Sequence, residues 1–215
     1  ACAFLAEGYH VFSLRYSTEK GIYPAALEQL ARTVRLIRQN AGEWHVRKDA
    51  IVLAGFSAGG HLAAEYACKW DRPALSAAAE AEREELRPNA LVLGYPVITA
   101  GAAAHEESIH NLLGAQDTPK MRRSVSLETQ VSGCVPPVFL WHTATDEMVN
   151  AENSLLFASA LAREKIPYEL HIYGSGVHGV SLGTRATVGE EKHVSHGCAG
   201  WFAQAARFLE RVLPE

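Results

Sequence analysis

Apolar positions along the chain recur with two different spacings, and the spacings alternate. Tyr9-His-Val-Phe-Ser-Leu-Arg15 is rich in β-branched and aromatic residues and predicts a strand ending at Tyr16-Ser-Thr. Pro24 suits a first helical position. After it Leu27, Leu30, Val34 and Ile37 recur at helical spacing, while Arg32, Arg35 and Arg38 occupy the other side, read as a solvated face. Ala50-Ile-Val-Leu-Ala-Gly55 is a continuous apolar run of the kind shown by a parallel strand buried on both faces, and Ala58 to Lys69 then reads as a helix. Ala90 to Tyr95 and Val138 to His142 repeat the buried-strand pattern. Tyr168 to Tyr173 follows a helix carrying Leu155, Leu156, Ala160 and Leu161, and a last helix over about Ala199 to Leu213 lines up Trp201, Ala205, Phe208 and Val212. Strands alternating with helices predict an α/β fold, a mainly parallel sheet with helices on both faces, in one domain over residues 1–215. Two long irregular connections interrupt it, Thr99 to Pro137 and Gly183 to Gly197. The first is expected to be a lid-like insertion.

Composition changes this picture little. Twenty Lys and Arg against 24 Asp and Glu give a formal charge of −4, which offers no electrostatic footprint for nucleic acid or anionic lipid. No stretch approaches the roughly 20 apolar residues needed to span a bilayer, so no membrane partner is expected. Cys2, Cys68, Cys134 and Cys198 are scattered without a C-x-x-C pair. They read as mostly reduced and buried, and favour a cytoplasmic address.

The sharpest chemical signal is Gly55-Phe-Ser57-Ala-Gly59-Gly60, a G-x-S-x-G pattern where a predicted strand meets a predicted helix. A serine in such a turn projects its hydroxyl from the sheet edge, and the Ala58 N–H at the helix start is free to donate to a developing oxyanion. A serine hydroxyl needs a base, and the base needs a partner that fixes its tautomer. Asp146 lies just past the strand Val138 to His142, with Glu147 as its neighbouring competitor and Asp117 inside the insertion. His178 lies in the glycine-flanked loop after Tyr168 to Tyr173 and completes the order Ser, Asp, His along the chain. Tyr95, just past a strand end, is a candidate pocket residue, with a structural aromatic as the equal alternative.

The remaining histidines have plainer readings. His61, one turn beyond Ser57, packs or caps, while His142 and His171 sit within strands as core or sheet-surface residues. His193-Val-Ser-His196-Gly-Cys198 gathers three potential ligands within six residues but lacks a fourth motif, so no metal and no cofactor is expected. His196 is a weaker alternative base. Glu80 to Arg87 reads as a solvated helix end.

These residues together resemble the α/β-hydrolase serine esterases, in the branch of small carbohydrate (acetyl xylan) esterases similar to the hormone-sensitive-lipase group. The resemblance rests on Gly8 to Tyr16, Gly55 to Ala63, Gly94-Tyr-Pro-Val97, Asn111-Leu-Leu-Gly114, Pro136 to His142, Asp146 and Gly176-Val-His-Gly179. It implies Ser57 as nucleophile, His178 as base then acid, Asp146 as orienter, and small acyl esters such as acetylated xylo-oligosaccharides as substrates. One departure stands out: no His-Gly-Gly oxyanion motif precedes Gly8. By the resemblance, the strand carrying it lies between those matching Tyr9–Arg15 and Ala50–Ala54. The sheet is therefore expected to lack N-terminal strands, and a missing N-terminal segment of roughly 40–70 residues is expected to complete it, so that any signal peptide would lie there. An amidase such as an arylformamidase, a peptidase, or a non-catalytic hydrolase-fold binding protein are the alternatives. Oligomeric state is open.

Overall fold

The computed structural model describes residues 1–185, 187 and 197–214. After a short helix α1 (Cys2–Ala6), the chain runs extended from His10 to Tyr16 without joining a sheet. Helix α2 (Ala25–Gln39) follows, with Pro24 at its N-cap rather than inside its first turn. Strand β1 (Val52–Phe56) leads into α3 (Ala58–Lys69), α4 (Pro73–Ala79) and β2 (Ala90–Gly94). Helices α5 (Glu106–Leu113) and α6 (Pro119–Val125) precede β3 (Val138–Thr143), α7 (Glu152–Arg163), β4 (Tyr168–Tyr173) and α8 (Trp201–Val212).

The four strands form one parallel sheet in the order β1-β2-β3-β4. Strands β2 and β3 are buried along their whole length, as their unbroken apolar sequences require. One face packs Leu91, Leu93 and Leu140 against Ala63, Ala64 and Ala67 of α3 and Phe157 and Leu161 of α7. The other packs Val92, Phe139 and Trp141 against Trp201, Ala205 and Phe208 of α8. Of the apolar residues that α7 carries, Ala160 and Leu161 are buried, whereas Leu155 is exposed.

Four expectations are corrected. The arginines of α2 are not a free solvated face: Arg32 and Arg35 donate to the carbonyls of Ala78 and Ala79 at the C-terminal end of α4, and Arg38 to those of Glu85 and Arg87 in the segment after it. The connection from Thr99 to Pro137 is not irregular, since it holds α5 and α6, with Ile109, Leu113 and Val125 in a core of their own. Of the four cysteines, expected to be mostly buried, only Cys68 and Cys198 are; Cys2 is exposed and Cys134 half-buried.

The fourth correction concerns Tyr9–Arg15 and β1. From His10 to Tyr16 no backbone hydrogen bond forms among the described residues, so this extended run is not a strand. Strand β1 is an edge strand with Ala54 exposed, not buried on both faces. Ser57 N–H donates to the Gly94 carbonyl, which places the odd-numbered residues of β1 toward β2. Val52, Ala54 and Phe56 consequently turn their N–H and C=O groups the other way. A cavity of about 390 Å³ lies there, walled by Tyr9 to Leu14 on one side and Ala50 to Ala54 on the other. Among the described residues no strand lies between the two apolar walls to pair with either.

Amide exchange should report this asymmetry. The Val52, Ala54 and Phe56 N–H groups are expected to exchange orders of magnitude faster than those of Leu93 and Leu140 in the sheet interior. Equal protection by NMR would mean that the edge is covered.

Candidate active site

The turn from β1 into α3 holds Ser57 at φ +54° and ψ −122°, a conformation that L-residues seldom adopt. It is locked from three directions. Ser57 N–H bonds the Gly94 carbonyl at 3.1 Å, and the Ser57 carbonyl accepts from His61 N–H at 3.1 Å and Val97 N–H at 3.2 Å. Glycine is required at two places: a Cβ on Gly55 would lie 2.2 Å from the Gly59 carbonyl oxygen, and one on Gly60 would lie 2.7 Å from Pro96. Gly59 itself has room for a side chain. The Ala58 N–H, first in α3, has no hydrogen-bond partner among the described residues.

Ser57 Oγ lies 2.8 Å from His178 Nε2, and His178 Nδ1 lies 2.7 Å from Asp146 Oδ2. A carboxylate only accepts, so Nδ1 carries the proton and Nε2 presents its lone pair to the serine hydroxyl. Asp146 is held from every side. Its Oδ1 accepts the N–H groups of Met148 and Val149, both at 2.9 Å. Its Oδ2 also faces His142 Nε2 at 3.3 Å. Burial works to raise the Asp146 pKa, but the hydrogen bonds from His142, His178 and Val149 outweigh it, and the carboxyl stays well below the usual range.

Several supporting residues carried no recognisable signal in the sequence. His142 is in the core, as expected of a mid-strand histidine, yet its Nε2–H is shared between Asp146 and the Val149 carbonyl while Nδ1 accepts from Ser154. Thr143 and Thr145 both donate to the Gly176 carbonyl, and Thr145 Oγ1 accepts the Gly176 N–H at 2.9 Å. The loop carrying Asp146 is thereby clamped to the loop carrying His178. Buried Asn153 accepts the Ile98 and Thr99 N–H groups and fixes the segment after β2. Only a helix-borne Asn with no partner in sequence would have hinted at this.

Tyr95 lies in the site's wall at φ +38° and is buried. Its ring meets the His178 ring edge to face, with centroids 4.9 Å apart, and also packs on Trp141 and Phe56. Burial pushes its hydroxyl up to about 12, so it stays protonated. Asp117 is bound to Arg122 in the insertion, away from this chain of groups. His171 pairs with Glu169. His193 and His196 lie outside the described residues, and among the described residues no cluster of three ligating side chains could hold a metal ion. Nor, among them, is any helix long and apolar enough to cross a membrane.

A parallel sheet sandwiched by helices, with a serine on a strained strand-to-helix turn and an Asp and His on later loops, defines the α/β-hydrolase class. The BD-FAE family profile matches residues 1–161, and the chain belongs to that family of α/β-hydrolases. It is 37% identical over 186 residues to endo-1,4-beta-xylanase B of Butyrivibrio fibrisolvens, covering 85% of this chain and 29% of the relative. It is 28% identical over 183 residues to an acetylxylan esterase of Xylanibacter ruminicola, covering 83% of this chain and 36% of the relative. The chain thus spans about a third of the length of these curated relatives. Among solved structures, a carboxylesterase from Lactobacillus plantarum superposes with a TM-score of 0.86 at 32% identity, covering 100% of this chain and 79% of that one. An acetyl ester-xyloside bifunctional hydrolase from Caldicellulosiruptor lactoaceticus superposes with a TM-score of 0.73 at 34% identity, covering 88% of this chain and 66% of that one.

The depressed Asp146 pKa makes a prediction about acid. Its folded value lies below the unfolded value of about 3.9, so its contribution to stability is present above about pH 4 and is lost as pH falls through the folded value. Asp146→Asn is expected to flatten the fall in urea midpoint between about pH 4 and pH 2. Identical slopes in the two proteins would show that Asp146 is not held as described.

Proposed function

We propose that this chain is a serine carboxylesterase of small acyl esters, with acetylated xylo-oligosaccharides as the favoured substrates. The observation that carries the reading is the continuous line from Ser57 Oγ through His178 to Asp146, at 2.8 and 2.7 Å, on a turn strained enough to expose the hydroxyl. The names of the relatives, acetylxylan esterase and carboxylesterase among them, favour ester over amide substrates and an acetylated sugar over other esters.

In this reading Ser57 Oγ attacks the ester carbonyl as His178 Nε2 takes its proton, forming the C–O bond of a tetrahedral intermediate. The Ala58 N–H donates to its oxyanion. Collapse expels the alcohol, which receives the proton from His178, and leaves an acyl group on Ser57. Water, deprotonated by the same nitrogen, then releases the acid and restores the serine. Asp146 holds the Nδ1–H tautomer throughout and stabilises the imidazolium, while His142 keeps the carboxylate from turning. Tyr95, edge on to the His178 ring, acts on substrate through that ring's position. No step calls for a metal or cofactor. The remaining oxyanion donors, and an extended segment filling the cavity beside β1, are assigned to polypeptide beyond residues 1–215. The unpaired groups of Val52, Ala54 and Phe56 are what such a segment would satisfy.

Ser57→Ala should reduce hydrolysis of p-nitrophenyl acetate by at least about 10³-fold without altering the melting curve. Retained turnover would overturn the mechanism. A parallel panel of acetyl esters and anilides decides between esterase and amidase: faster cleavage of the anilides would replace the first reading with the second.

A further inference from the structure

A second cavity, of about 260 Å³, lies beside the first two turns of α3, next to Ser57. It reaches Ala58 and Val97 and is walled by Tyr16, Tyr23, Ile109 and Leu112. Its volume falls just under the range of roughly 300–1,000 Å³ usual for small-molecule pockets, and its make-up is theirs, apolar and aromatic with a few convergent polar groups.

Those polar groups are two buried residues of α3 one turn apart, His61 and Glu65, 6% and 1% exposed. His61 Nδ1 sits 3.1 Å from the Val97 carbonyl, so it must donate there, and Nε2 is left as an acceptor. Nε2 is buried and has no partner among the described residues. Glu65 Oε1 accepts from the Tyr23 hydroxyl at 2.8 Å and Lys69 Nζ at 2.5 Å, whereas Oε2 accepts nothing among them. A carboxylate can take about four hydrogen bonds, so half of its capacity is unused. Lys69, itself buried, also donates to the Tyr23 hydroxyl and the Ser124 carbonyl. The Glu65 charge is therefore already matched inside the protein. What is missing at this cavity is neutral donors, not a cation, because a second positive charge would be buried beside Lys69 without a partner.

We propose that this cavity binds a pentose-sized, uncharged polyhydroxylated ring, its hydroxyls donating to Glu65 Oε2 and His61 Nε2 and its C–H face resting on Tyr16 or Tyr23. Identifying that ring with the sugar of an ester cleaved at Ser57 rests on the esterase reading; the polyol site itself does not. Because the cavity touches Ala58 beside the nucleophile, a ring seated there keeps an acetylated hydroxyl within the site's neighbourhood, and the pocket selects the alcohol half of the substrate.

Methyl β-D-xylopyranoside, titrated into the 215-residue chain and followed by calorimetry and by the His61 ring resonances, is expected to bind saturably. Methyl cyclohexyl ether, a six-membered ring without the hydroxyls, is expected not to. His61→Phe, which keeps the ring and loses the acceptor, should weaken xyloside binding about tenfold. Leu112→Trp, which fills the cavity from its wall, should do the same or more and decides the matter if His61→Phe fails to fold. Absence of saturable binding, or equal binding by folded Leu112→Trp, overturns the proposal. Hydrolysis of p-nitrophenyl acetate by the unaltered chain is scored separately: xyloside binding that is lost in Leu112→Trp, alongside no esterase activity, would sink the esterase reading and leave the polyol site standing.

Discussion

Everything chemical in this molecule depends on one backbone turn. Ser57 adopts a conformation that costs on the order of 1–3 kcal/mol, and it is held there by three backbone hydrogen bonds and by the bare Cα atoms of Gly55 and Gly60. One bond comes from His61 in α3 and two from β2 and its following segment, so the turn depends on β1 and β2 being paired in their observed register. Shift that register by one residue and the Gly94 carbonyl no longer meets the Ser57 N–H. The strain is thus not local to the turn but is carried by the pairing of the edge strand β1 with the buried strand β2.

The second half of the site is anchored to the core in a different way. Asp146 sits where a loop leaves β3, and the same strand supplies His142, whose ring is locked between Ser154 of α7 and the Val149 carbonyl. A charged carboxylate among buried groups is costly unless its lone pairs are filled. Here two backbone N–H groups and two imidazoles fill them, so the orientation of His178 follows from packing between β3 and α7 as well as from the loop it occupies. Thr145 ties that loop back to the Asp146 loop through both the N–H and the carbonyl of Gly176.

Much of this was legible in the sequence for a simple reason: unbroken apolar runs such as Ala90 to Gly94 and Val138 to Trp141 have one stable setting, the middle of a parallel sheet. Ser57, Asp146 and His178 could be placed because each falls at a strand's C-terminal end, where local pattern alone gives position. The errors came where partners distant in sequence decide. Tyr9–Arg15 has strand composition, but a strand is a pairing, and among the described residues nothing pairs with it. The arginines of α2 look solvent-facing by helical spacing, yet α4 and the turn after it bring their carbonyls within reach. His142 is indistinguishable by pattern from any mid-strand histidine, and its contact with Asp146 depends on a turn that closes only in three dimensions.

The open side of β1 has a consequence for the molecule's behaviour in company. A row of outward-facing N–H and C=O groups on an apolar edge is a template for any extended peptide, including the same edge of another copy. The strand that leads into the Ser57 turn therefore depends on whatever occupies the cavity beside it. Protection of the edge and geometry of the candidate site are, in this chain, two properties of the same five residues from Val52 to Phe56.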